Sequence, residues 1–154
     1  MLFLVFQLGK DCYALDTAQV VEVLPMVRYK KIPAAPAGVA GVFNYHGAPV
    51  PLIDLAALSL GKSSRSRMST RIILVNYLEE SGETHLLGLL AEQTTQTIRR
   101  AEQDFVDPGL APDGAPYLGP VTNDARGIIQ RVEINQLLND NVRDLLFRQP
   151  LEAT

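Results

Sequence analysis

The sequence predicts a mainly β protein made of two similar small barrels, and three observations lead there. Short apolar runs recur between turns rich in glycine, proline and asparagine from Leu2 to Val132. Spacing at three and four residues is confined to a short stretch after Asp54 and to the C-terminus. The order of signals also occurs twice. Gln19-Val-Val-Glu-Val-Leu24 is answered by Gln93-Thr-Thr-Gln-Thr-Ile98, each after a strand, turn and strand. Gly41, Asn44-Tyr-His-Gly47, Asp54 and Leu58 are echoed by Gly119, Asp124-Ala-Arg-Gly127, Glu133 and Leu137, with a one-residue slip near each end. One barrel per half, sharing an apolar seam, is the architecture this implies.

Taken in order, Leu2–Leu8 and Cys12–Leu15 form a hairpin around Gly9-Lys10-Asp11, and Asp16 caps a short turn. Val20–Leu24 is the next strand. If Val21 and Val23 face inward, Val20, Glu22 and Leu24 face out as a small sticky patch; burial of both faces is the alternative. Ile32–Gly38 is an extended, proline-punctuated approach to the central hairpin. There, Val39–Phe43 and Val50–Ile53 flank the turn set Asn44-Tyr45-His46-Gly47. Pro49 and Pro51 lie two apart, so their missing N–H groups share one side, which must be an edge or a bulge. Asp54 then caps a helical turn, Leu55–Leu60, that Gly61 closes.

Residues 61–70 form a polar loop whose Lys62, Arg65 and Arg67 are solvated or meet an acidic partner. Arg71–Leu78 and Thr84–Leu90 pair through a turn that leaves Glu79 and Glu80 solvated, and a separate strand, Thr94–Ile98, follows. A surface loop spans 104 to 120, with Tyr117-Leu118 starting a strand inside it, and a last hairpin spans 120 to 132. Ile134, Leu137, Leu138, Val142, Leu145 and Leu146 then recur as on one amphipathic helix, with Pro150 beyond its end.

The 154 residues suffice for one domain, 1–154, with a core that needs no staples. A net charge of -3 argues against a broad phosphate-binding surface, so nucleic acid is not an expected partner. Cys12, the single cysteine, falls in an apolar alternating segment and reads as a small buried side chain. The apolar N-terminus lacks a basic flank and is far shorter than a membrane span, which places the chain in the cytoplasm with no direct membrane insertion.

Catalytic and metal sets are scarce. His46 and His85 are the two histidines, and with Cys12 they match no zinc spacing, so no metal or cofactor is expected. His46 sits at a hairpin tip with no marked nucleophile nearby and reads as a contact residue. His85 reads as a surface or half-buried strand residue. A barrel that binds a small molecule or single-stranded nucleic acid is the alternative function, though no basic stripe with interleaved aromatics supports the latter.

Phe3-Leu-Val-Phe-Gln-Leu-Gly9, Tyr13-Ala-Leu-Asp16, Val20-Val-Glu-Val23, Ile32-Pro33 with Pro36, and Gly41-Val-Phe-Asn44, Gly47 and Val50-Pro-Leu-Ile-Asp-Leu55 resemble the CheW family of chemotaxis coupling proteins. The similarity spans nearly the whole chain in register. It implies two SH3-like five-stranded β-barrel subdomains sharing a core, with short helices and a C-terminal amphipathic helix. It further implies a non-enzymatic adaptor that links the cytoplasmic helical hairpin of chemoreceptors to the regulatory domain of a CheA-type histidine kinase. Such an adaptor is recruited to membrane-bound receptor arrays, with self-association left open. Carried onto this chain, the receptor-facing groove comprises Val20, Glu22, Val23, Gly41, Asn44 and His46. The family usually has arginine at the His46 position, and histidine is shorter and mostly neutral near pH 7. That departure points to an accessory chemosensory system rather than the main swimming array.

Overall fold

Phe3-Leu-Val-Phe6 and Ile72-Ile-Leu-Val75 are unbroken apolar runs because each strand is buried on both faces. Phe3 and Val5 point into one small cluster with Cys12, Ala14 and Ile129, whereas Leu4 and Phe6 join a large central cluster. Ile72 and Leu74 point into a third cluster with Phe43, Val50, Leu52 and Leu90, whereas Ile73 and Val75 join the central one.

The computed structural model describes residues 1–60, 70–109 and 115–147. Its strands are β1 (Leu2–Leu8), β2 (Asp11–Asp16), β3 (Val20–Pro25), β4 (Val39–Tyr45), β5 (Ala48–Asp54), β6 (Thr70–Leu78), β7 (Thr84–Arg99), β8 (Leu118–Asp124) and β9 (Gly127–Val132). Two helices, α1 (Leu55–Leu60) and α2 (Asp140–Phe147), accompany them. Gly61, Lys62, Arg65, Arg67 and Pro150, where the polar loop and helix stops are expected, lie outside the described residues.

The strands make one open sheet with two lobes. Lobe one runs β4-β5-β7-β6-β3 and lobe two runs β8-β9-β2-β1-β7. Five strands per lobe therefore come from nine, because β7 serves both. Its Glu92 pairs with Thr70 of β6 on one side and with Gln7 of β1 on the other. No break separates the two strands expected at 84–90 and 94–98, since Ala91-Glu92-Gln93 contains no turn-forming residue.

The repeat seen in the sequence recurs in the pairing, but with an exchange. Antiparallel β3–β6 is matched by antiparallel β7–β1, and parallel β5–β7 (Leu52–Asp54 with Gly88–Leu90) by parallel β2–β9 (Cys12–Ala14 with Ile129–Arg131). The isolated bridges Lys30–Val42 and Val106–Val121 match as well. Each half thus lends its first hairpin to the other half's lobe, so the lobes are not one per half. The exchange gives both hairpins a second buried face, which is why their apolar runs do not alternate.

Local signals were met at the caps. Asp16 accepts the Ala18 N–H at 2.9 Å, and Asp54 accepts the Ala57 N–H at 3.2 Å. Cys12 is buried and free. The C-terminal helix is shorter than its periodicity suggests. A 3₁₀ turn, Ile134–Gln136, comes first, Leu137 and Leu138 enter the central cluster, and Asn139 restarts the chain by accepting the Val142 N–H at 2.9 Å. Asparagine is a strong helix initiator, so it divides one apolar pattern into two elements.

Candidate functional site

The site grows from the β4–β5 turn. Tyr45 pairs with Ala48, and His46 and Gly47 between them have φ of 52° and 87°. Positive φ at both central residues is what a type I′ hairpin turn requires, and its twist matches the strands it joins. The Asn44 side chain accepts the Gly47 N–H at 2.8 Å, so its carbonyl oxygen is committed to the turn. Pro49 and Pro51 face the free side of β5, which meets β7 only from Leu52 onward.

Tyr45 then ties the turn to β3. Its hydroxyl donates to Glu22 Oε1 at 2.8 Å, across the gap between the two unpaired ends of lobe one. That bond to the carboxylate raises the phenol above its ordinary value near 10. The Tyr45 ring also meets His46 edge-on, with centroids 4.3 Å apart. Glu22, Asn44 and His46 are all exposed around this contact.

The faces of β3 differ from the conditional expectation. Register shifts between Val20 and Glu22, a bulge that leaves Val21 opposite no residue of β6. Val20 packs on the central cluster and Leu24 on the cluster of lobe one, whereas Val21 and Val23 are 44% and 38% exposed. The exposed valines are therefore Val21 and Val23, not Val20, and the strand is not buried on both faces.

Gly41 offers no surface either. It is buried under the segment that follows β3, and a Cβ there would lie 2.8 Å from the Lys30 carbonyl carbon and 3.0 Å from the Tyr29 ring. Lys30 bridges Val42 by two hydrogen bonds of 2.8 Å, so glycine is needed for that close approach. Of the six residues expected at the groove, Glu22, Val23, Asn44 and His46 are exposed, Val20 is half-buried and Gly41 is buried. Tyr45, which bridges the turn to Glu22, was not among them. The bulge leaves no mark in the sequence, but an aromatic beside a positive-φ turn was a usable signal for Tyr45.

A second constellation lies at the β6–β7 turn. Glu79 is buried rather than solvated, and it contacts His85 Nε2 and, at 3.7 Å, Arg143 Nε. His85 also stacks flat on Phe147 with centroids 4.1 Å apart. Hydrogen bonds to Tyr77 and Asp140 favour the charged form of Arg143. Together with Glu83, the Glu79 and His85 ligand-type atoms lie within 4.8 Å of one another. Arg143 and His85 both contact Glu79, which ties α2 to the β6–β7 turn. Beside it lies a cleft of about 750 Å³ lined by Tyr77, Glu79, Tyr117, Asn135 and Arg143 among others.

Lobe two repeats the seam with different chemistry. Arg100 donates to the Asn123 carbonyl at 3.1 Å, and Asp124 caps its turn by accepting the Arg126 N–H at 2.7 Å. The Arg126 guanidinium on Asp124 lowers its carboxyl below the usual range. Val106 and Ile128 are 63% and 67% exposed here, which makes them the most exposed large apolar side chains among the described residues.

A two-lobed open β-sheet with a hydrogen-bonded seam in each lobe and exposed apolar side chains on both lobes defines the class. The CheW-like domain family matches residues 2–142, and the chain belongs to that family. The chemotaxis protein CheW of Helicobacter pylori is 28% identical over 106 residues, 69% of this chain and 61% of that protein. Its counterpart in Treponema pallidum is 25% identical over 148 residues, 87% of this chain and 79% of that one. The chain spans 58% of the Klebsiella aerogenes CheW, at 30% identity over 97 residues. The scaffolding protein TtCheW from Thermoanaerobacter tengcongensis has the same fold, with a TM-score of 0.77 at 23% identity over 92% of this chain and 89% of that one. Among the described residues no helix is long and apolar enough to cross a membrane.

Proposed function

We propose that the protein is a non-enzymatic cytoplasmic adaptor. It couples the helical hairpin tip of a chemoreceptor, docked on the β3 seam, to the regulatory domain of a CheA-type histidine kinase. The observation that carries the reading is the Tyr45–Glu22 hydrogen bond of 2.8 Å. It holds the β4–β5 tip, where Asn44 and His46 are exposed, against Glu22 of β3, whose chain neighbours Val21 and Val23 are exposed as well. Helix docking needs this combination of an apolar strip with a few orienting polar groups. An adaptor also needs a second, separate face, and Val106 and Ile128 on lobe two supply an apolar one for the kinase. Modest affinity at each face is enough where many linked contacts act together in an array.

His46 in place of the family's arginine supports an accessory chemosensory system as its setting. Co-elution with receptor-tip and kinase fragments from the same genome tests the reading. Val21→Asp with Val23→Asp should abolish receptor-tip co-elution and spare the kinase, and Val106→Asp with Ile128→Asp should do the reverse. Loss of both partners in either pair, with the fold intact, refutes two separate faces. A His46→Arg variant should gain binding to receptors of a swimming array, and no gain would count against the accessory assignment.

A further inference from the structure

We infer that the receptor-docking seam is built for a helix whose apolar stripe is flanked by carboxylates, and that Arg28, Lys30 and Lys31 recognise them. The inference rests on the docking reading above and adds the charge of the occupant. Beyond β3 the chain crosses the open end of lobe one and reaches β4, where Lys30 bridges Val42 three residues before Tyr45. Tyr29 packs inward on the cluster of lobe one, so its neighbours Arg28 and Lys30 point outward. Arg28, Lys30 and Lys31 are all exposed, and Val27 beside them is 37% exposed.

Among the described residues none of these three cations has a carboxylate within ion-pair distance, whereas Arg126, Arg131 and Arg143 each do. That places three cations without such a partner within four residues of a chain whose net charge is -3. Glu22, the acidic group at the seam, is engaged by Tyr45 rather than by them. Exposed Val21, Val23 and Val27 are thus followed along the chain by exposed Arg28, Lys30 and Lys31, which enter the bridge to β4. A helix with glutamates or aspartates beside its apolar stripe complements both features at once. Charges at an interface rim act chiefly on association rate and on the choice of partner. An anionic membrane would satisfy the cations too, but the inward tie of Lys30 to β4 keeps the strip in a seam rather than on a protruding loop.

Two synthetic helical hairpins that share one apolar stripe, one flanked by glutamates and the other by lysines, test this by surface plasmon resonance. The intact protein should bind the glutamate hairpin at least about tenfold more tightly, with the difference in association rate and lost at high salt. Arg28→Glu, Lys30→Glu and Lys31→Glu together should erase the preference, while Val21→Asp with Val23→Asp should weaken both hairpins alike. Equal affinity of the intact protein for both hairpins overturns the charge inference and leaves the docking reading standing. Failure to bind either overturns the docking reading itself. Capture by phosphatidylcholine vesicles containing phosphatidylserine, as strong as capture of the glutamate hairpin, overturns the inference in favour of a lipid surface.

Discussion

Replacing Gly41 by alanine should disable the seam although no part of Gly41 touches solvent. The added Cβ would collide first with the Lys30 carbonyl oxygen and would lie 2.8 Å from the carbonyl carbon, where unstrained carbon contacts fall near 3.5–4.0 Å. The crossing segment must therefore withdraw by about 1 Å. Overpacking of this size costs roughly 1–3 kcal/mol. Withdrawal also breaks the two Lys30–Val42 hydrogen bonds, each worth about 1 kcal/mol net. The total is about 3–5 kcal/mol, and for a chain of this length roughly 2–4 °C of melting temperature follows each kcal/mol. Differential scanning calorimetry should thus show a fall of roughly 10 °C. Gly47→Ala is the control, since nothing lies within 4 Å of its Cβ and only its φ of 87° opposes alanine, at about 1 kcal/mol. A Gly41→Ala melting temperature within about 2 °C of the parent would refute the claim that this glycine exists for close backbone approach.

Other outcomes follow from the same geometry. Val20→Asp should lower stability by about 3 kcal/mol, because it places a carboxylate against the central cluster, whereas Val23→Asp should leave denaturant midpoints nearly unchanged. In an absorbance titration, Tyr45 and Tyr13 should ionise above the ordinary tyrosine range, Tyr45 through Glu22 and Tyr13 through burial, so Tyr45→Phe should remove part of the late amplitude. Because the folded phenol value is raised, the Tyr45 contribution to stability is present below pH 10 and is lost as pH rises through it. Asp124 has the opposite sign: its contribution holds at neutral pH and is lost as pH falls through its lowered folded value, so Asp124→Asn should flatten the acid limb of the stability profile. Phe147→Ala should free α2 from His85 and Tyr77, with faster amide exchange in α2 and an unchanged β-sheet.

The sequence alone determined what depends on neighbours in the chain. Turn chemistry set the hairpins at Gly9 and at His46-Gly47, asparagine and aspartate set the caps, and the two prolines set the free edge of β5. The repeat was visible too, since duplicated segments carry the same local instructions. Tertiary structure alone decided the exchange of hairpins between lobes, because an apolar run buried on two faces looks the same whichever lobe receives it. It also decided which side of β3 meets solvent. One bulged residue reverses the parity of a strand, and the bulge arises from pairing with β6 and not from Val21 itself. The burial of Glu79 is of the same kind, because its partners His85 and Arg143 come from other elements. Gly41 and the Arg28, Lys30 and Lys31 strip acquire their meaning only when a crossing segment, distant in register, is laid against β4.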